Sequence, residues 1–143
     1  MKIAPTMLFV LFMFPALAGA GEAIQGPILA RVVDVYDGDT FTAEARTWLG
    51  QVTTTKVRIA GIDTPEIRRP KCDSEKRKAI AAKEALRRLL GDSVYLRNIK
   101  RGKYAGRVIS QVISKGGIDI GKDMIRTGHA RPYSGGKRGS WCN

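Results

Sequence analysis

The stretch from Ile28 to Ile62 constrains the fold most, because it holds three β-rich runs separated only by turn signals. Ile28 to Tyr36 (ILARVVDVY) is rich in β-branched residues and reads as a strand. Asp37-Gly38 is a tight-turn signal, and Thr40 to Ala45 (TFTAEA) then alternates as a half-buried strand does. Gly50 marks a second turn. Val52 to Ile62 (VTTTKVRIAGI) reads as a third strand with a glycine near its end. Connections this short leave an antiparallel meander as the natural arrangement.

The rest of the chain changes period. Asp63 to Lys71 is a proline-bounded loop. A helix follows, with Asp73 or Ser74 able to cap it and Gly91 able to stop it. Ala79, Ala82, Leu86, Leu89 and Leu90 form an apolar stripe at helical spacing, while Arg77, Lys78, Glu84 and Arg88 fall largely off it. Val94 to Ile99 and Arg107 to Ser114 read as two more strands. Asp119 can cap a short helix whose Ile120, Met124 and Ile125 face inward, with Gly128 as its stop. No internal repeat is visible. Three meander strands, a helix and two further strands suit an α+β, mainly β domain: a five-stranded Greek-key barrel of the OB-fold kind, with one long and one short helix.

The chain has 143 residues, and its first 20 read differently from the remainder. Lys2, the apolar run Met7 to Leu17 and the small residues up to Ala20 follow the layout of a secretory signal peptide. The run falls short of the roughly 20 apolar residues that span a bilayer. Gly21 to Pro27 reads as a flexible lead-in, and residues 28–143 as one domain. The expected location is periplasmic or secreted, as a monomer without stable membrane association once the leader is removed. In an oxidising compartment the two cysteines, Cys72 and Cys142, are expected to pair, and they allow one intramolecular connection. Two cysteines and the single His129 are too few for a common zinc set, and His129 reads as structural or surface. The formal net charge is +12, from 25 Lys and Arg against 13 Asp and Glu, which favours a polyanionic partner.

Three clusters carry chemistry. Asp37-Gly38-Asp39-Thr40 alone is a hairpin turn with an extra carboxylate. Asp63-Thr64-Pro65-Glu66 alone is a proline loop with two acids. Lys103-Tyr104-Ala105-Gly106-Arg107 alone is a basic turn. In this order, with Val57 to Ile62 leading into the second cluster and a helix before the third, they resemble the thermonuclease (staphylococcal-nuclease-like) family from about Val32 to Tyr133.

The resemblance implies a calcium-dependent nuclease that hydrolyses the phosphodiester bonds of DNA or RNA. It implies that Asp39, Asp63 and the carbonyl of Thr64 ligate calcium. It implies that Glu66 orients or deprotonates the attacking water, and that Arg58 and Arg107 bind the scissile phosphate. Lys103, Tyr104 and Tyr133 become candidates for touching a base or its phosphate. The chemistry suits these residue types. Calcium takes oxygen ligands, usually six to eight, so water and substrate must complete a set of three. Arginine pairs with phosphate through a planar fork of donors, and a carboxylate beside the metal can serve as base.

Two features depart from the family's pattern, and one from simple patterning. Ala105 lengthens the family's KYGR element by one residue, and the chain ends in a short tail (RPYSGGKRGSWCN) where the family's best-known member has a long third helix. Strict strand alternation would also set Arg58 and Asp63 on opposite faces, so Gly61 or the strand end must break it. The alternative reading is a non-catalytic nucleic-acid-binding barrel with a basic groove. A cationic binder of envelope polymers explains the charge but not the acids.

Overall fold

A computed structural model describes residues 21–142 of the chain. The signal-peptide reading falls on residues outside them. Strands β1 (Ala23–Ile24), β2 (Ile28–Val35), β3 (Thr40–Trp48), β4 (Gln51–Ile59) and β5 (Ile62–Asp63) precede helix α1 (Asp73–Leu90). Strands β6 (Ser93–Arg101) and β7 (Arg107–Ser114), helix α2 (Ile120–Arg126) and strand β8 (Arg131–Pro132) follow.

The meander is present: β2 pairs with β3 and β3 with β4, both antiparallel. The barrel closes because β7 runs parallel to β4 on one side and antiparallel to β6 on the other, while β6 also pairs with β2. The protein is therefore a closed five-stranded mixed barrel of the OB kind, with two helices. Closure leaves the five barrel strands without a free edge. Alternation drives Phe41, Ala43, Val57, Ile59, Val94, Leu96 and Val112 inward, where they are buried. Ala82, Leu86 and Leu90 from α1, and Ile120 and Met124 from α2, complete the same core.

Three local expectations change. The lead-in carries β1, which pairs with the outer half of β6 through Ala23–Lys100 and Ile24–Ile99. The third strand ends at Ile59 rather than Ile62. The chain turns at Ala60-Gly61, with Gly61 at φ +78°, and Ile62–Asp63 joins β8 in a separate small sheet. That turn breaks the alternation between Arg58 and Asp63. Helix α1 is capped by Cys72, whose Sγ accepts from the Glu75 amide at 3.3 Å, and Asp73 and Ser74 lie inside the first turn. As expected, Asp119 caps α2, accepting from the Lys122 amide, and Gly128 stops it at φ +76° just past the Thr127 C-cap.

Candidate active site

The DGDT turn joins β2 to β3 and lies directly against the loop that carries Asp63 and Thr64. A Cβ built on Gly38 would fall 2.8 Å from Ala82 Cβ and 3.0 Å from the Thr64 side chain, closer than packed atoms tolerate. Glycine at this position lets the turn, the loop and helix α1 meet. Asp39 follows it, buried, and its backbone carbonyl accepts from the Ile59 amide at 2.8 Å, which ties the turn to the end of β4.

Each of the two carboxylates has a guanidinium partner. Asp39 Oδ1 accepts from Arg58 at 2.8 Å and from the Thr40 hydroxyl at 2.8 Å. Asp63, also buried, has Oδ2 accepting from the Trp141 indole at 3.1 Å. Arg138 Nε lies 3.1 Å from Asp63 Oδ1. That contact is an ion pair without hydrogen-bond alignment, so among the described residues Asp63 Oδ1 is a buried acceptor with no hydrogen bond. Burial works to lower the Arg138 guanidinium pKa, but the Asp63 and Asp39 carboxylates outweigh it and the net shift is upward. The Gly38–Thr64 contact sets the Asp39 turn against the loop carrying Asp63, so the two carboxylates share one neighbourhood.

A cleft of about 430 Å³ opens over this neighbourhood. Arg58, Arg107 and Glu66 line it together with Arg138, Lys56 and Arg69. A smaller cavity of about 220 Å³ beside it is lined by Asp63 and Thr64 and shares Glu66, Arg69 and Arg138 with the first. Parallel pairing puts Arg107 at the start of β7 opposite Lys56 of β4. The extra Ala105 is absorbed in the turn, where Gly102 donates to the Arg107 carbonyl at 2.8 Å and Gly106 takes φ +73°. Arg107 therefore still reaches the cleft. Its guanidinium stands 4.8 Å from the Tyr104 ring centre.

Glu66 is half-buried, and its Oε1 accepts from the Arg68 amide at 3.0 Å. The loop around it is braced by Glu75 of α1, a buried carboxylate that accepts from the amides of Glu66 at 3.2 Å and Lys71 at 2.7 Å. Two of the other sequence candidates, Tyr104 and Tyr133, lie beside arginines of the cleft. Lys103 and Tyr104 are exposed in the turn before β7, outside the residues lining the cleft. Tyr133 is half-buried, donates its hydroxyl to the Gly136 carbonyl at 2.8 Å and lies 5.8 Å from the Arg138 guanidinium. His129 is half-buried and its amide donates to the Met124 carbonyl.

Sequence reasoning missed four residues here. Asp37 lines the cleft; burial pushes its carboxyl up to about 6, and the neighbouring Asp39 carboxylate adds to the rise. Its position as the first acid of DGDT was the available signal. Glu75 had the signal of a carboxylate in the first turn of a helix. Arg138 and Trp141 had none beyond their place in a basic tail.

The tail is tied down by the Cys72–Cys142 disulfide, with a Cα–Cα distance of 6.0 Å. Trp141 is buried beneath Arg131, whose guanidinium lies 3.7 Å from its ring centre, and its carbonyl accepts from Lys78 Nζ at 3.1 Å. Among the described residues no helix is long and apolar enough to cross a membrane.

A family model described as staphylococcal nuclease homologue matches residues 56–139. The chain belongs to this family. The match takes in Arg58, Asp63, Thr64, Glu66, Arg107 and Arg138, and begins after the DGDT turn. Among curated proteins, an "Uncharacterized endonuclease" of Escherichia coli is 28% identical over 134 residues, covering 92% of this chain and 73% of that protein. Endonuclease YhcR of Bacillus subtilis is 32% identical over 121 residues, covering 80% of this chain but 10% of that protein.

Proposed function

We propose that the protein is an exported, calcium-dependent nuclease that hydrolyses phosphodiester bonds by attack of water. Family membership and the endonuclease names of the relatives support nuclease activity. The observation that carries the reading is the single cleft lined by Arg58, Arg107 and Glu66, beside the buried Asp39 and Asp63. A basic cleft that bound nucleic acid without cutting it would gain little from these carboxylates beyond anchoring Arg58 and Arg138, and nothing from Glu66 at its wall.

The donor set fits calcium. Asp39, Asp63 and the Thr64 carbonyl are hard oxygen donors, and the buried Asp63 Oδ1 lacks a hydrogen bond. Among the described residues no three His, Cys, Asp or Glu side chains gather into a metal site. Two carboxylates and a carbonyl would leave most positions to water and substrate. When bound, calcium would supply a Lewis acid for a phosphate oxygen. Arg58 and Arg107 would bind the phosphate and offset the charge that builds on its oxygens. Glu66, at the cleft wall, would orient the water and take its proton. The disulfide fits an oxidising compartment, as the signal-peptide reading of residues 1–20 also requires.

The test is incubation of the protein with plasmid DNA and with RNA, in calcium, in magnesium and in chelator. Cleavage is expected in calcium and lost in chelator. It is expected to be weaker in magnesium, which demands octahedral geometry and sheds water reluctantly. Full cleavage in chelator would overturn the metal assignment, and tight binding without cleavage under every condition would leave a binding protein instead.

A further inference from the structure

The cleft holds a guanidinium that neither the DGDT and DTPE motifs nor the KY…GR element supplies. Arg138 comes from the C-terminal tail, lines the same cleft as Arg58 and Arg107, and sits on Asp63 as Arg58 sits on Asp39. Burial separates the two pairs. Both carboxylates are nearly inaccessible, at 3% and 6% side-chain exposure, but the Arg58 side chain is mostly buried at 14% while that of Arg138 is 47% exposed. Both arginines line the cleft from an anchored position, and Arg138 is the more open of the two to an incoming anion. A guanidinium carries five donors in a fixed fork, so a contact through Nε leaves other donors for an anion.

The segment that delivers Arg138 is built into place. Cys142 is bonded to Cys72, and the Trp141 indole donates to Asp63. The Ser140 carbonyl accepts from Arg131 at 2.7 Å. On the other side, Tyr133 is held by its amide on the Gly61 carbonyl at 2.9 Å and its hydroxyl on Gly136. Anchors on both sides of Arg138 make its place over the cleft a property of the fold.

We propose that Arg138 is a third phosphate-binding arginine, and that the disulfide-tied segment from Tyr133 to Cys142 is an arm that presents it to the nucleic-acid backbone. The inference rests on the nuclease reading for its substrate class, but its main test does not require cleavage.

The binding of a fluorescent single-stranded oligonucleotide in chelator is measured against salt for the wild type, Arg138→Gln and Arg138→Lys. One lost phosphate contact makes the slope of log K against log salt less negative by about 0.7 for a single strand. Arg138→Gln is expected to show that loss, and Arg138→Lys to restore the slope because it keeps the charge. In calcium, kcat/KM for Arg138→Gln is expected to fall roughly 10–100-fold, the range of a lost charge-assisted hydrogen bond. Arg138→Lys is expected to recover only part of it, lacking the fork. A residue that merely held Asp63 would leave the salt slope unchanged. An unchanged slope in a folded Arg138→Gln protein overturns the inference, whatever happens to the rate. If the wild type binds but cuts nothing, the nuclease reading fails while the slope still decides the role of Arg138.

Discussion

Asp39 and Asp63 occupy one neighbourhood but are held there by different parts of the molecule. Asp39 is fixed by the barrel. It lies in a two-strand turn, its carbonyl takes the Ile59 amide, and its carboxylate is met by Arg58 from the adjoining β4. Asp63 lies beyond the end of β4 in a two-residue strand, and its carboxylate partners, Trp141 and Arg138, come from the tail. That tail is joined to the foot of α1 by a bond spanning 70 residues of sequence. One half of the site therefore rests on β-ladder hydrogen bonds close in space. The other half rests on a cross-link and a few side-chain contacts, so the two halves should respond differently to perturbation.

The largest expected effects are on rate. Glu66→Gln should slow cleavage at least about a hundredfold, since general-base catalysis is typically worth ~10²–10⁴. Its melting temperature should barely move, because Glu66 is half-buried and its side chain contacts the Arg68 amide, which glutamine can still serve. Arg58→Ala should lose rate comparably, at ~10²–10³ for a missing charge-stabilising donor. It should also lose stability, because it leaves Asp39 buried without its cation, and breaking such a pair costs about 3–5 kcal/mol. Rate assays paired with thermal melts separate the two. A folded Glu66→Gln protein of near-normal rate would remove Glu66 from the mechanism.

Next in size is the cross-link. Cys72→Ser opens a closure of 70 residues, for which loop entropy gives about 4 kcal/mol. Serine is itself a good N-cap, so this variant keeps the capping function of Cys72 and isolates the bond. The melting temperature should fall by roughly 10–20 °C, at a few degrees per kcal/mol for a domain of this size. Calcium binding, followed by calorimetry, should weaken through Asp63. An unchanged melting temperature would mean that the tail is held without the bond, and the contrast between the two halves would disappear.

That contrast also sets what the sequence could reveal. The barrel was legible because its signals are local: period-2 alternation in Thr40 to Ala45, Asp37-Gly38 at the turn, and the helical stripe of Ala82, Leu86 and Leu90. The end of the third strand was misjudged because Ile62 is as apolar as Ile59; it is buried too, but in the small sheet with β8. The cap of α1 was misjudged because cysteine is an unusual N-cap, and its role emerges only once the disulfide fixes its place. The tail was opaque for a deeper reason. Nothing in the composition of a glycine-rich, basic segment says that Trp141 turns inward onto a carboxylate 78 residues earlier, because such a contact leaves no periodic trace.

The smallest expected effect isolates that one contact. Trp141→Phe keeps most of the buried ring but removes the indole N–H, so Asp63 Oδ2 loses its donor at 3.1 Å. A buried acceptor left unpaired costs about 1–3 kcal/mol. Melting in chelator should therefore fall by less than in Cys72→Ser, and the cross-link itself should still form. Outer partners that orient a ligating carboxylate typically contribute 10–100-fold to metal affinity. The remaining ring and Arg138 should hold Asp63 partly in place, so a loss of calcium affinity on the order of tenfold, the low end of that range, is expected. Because the barrel holds Asp39 independently, metal-free oligonucleotide binding through Arg58 and Arg107 should be nearly unchanged. Wild-type values for both the melting temperature and the calcium midpoint would show that the indole N–H does not position Asp63. A loss as large as that in Cys72→Ser would show that Trp141, rather than the disulfide, is the anchor of the tail.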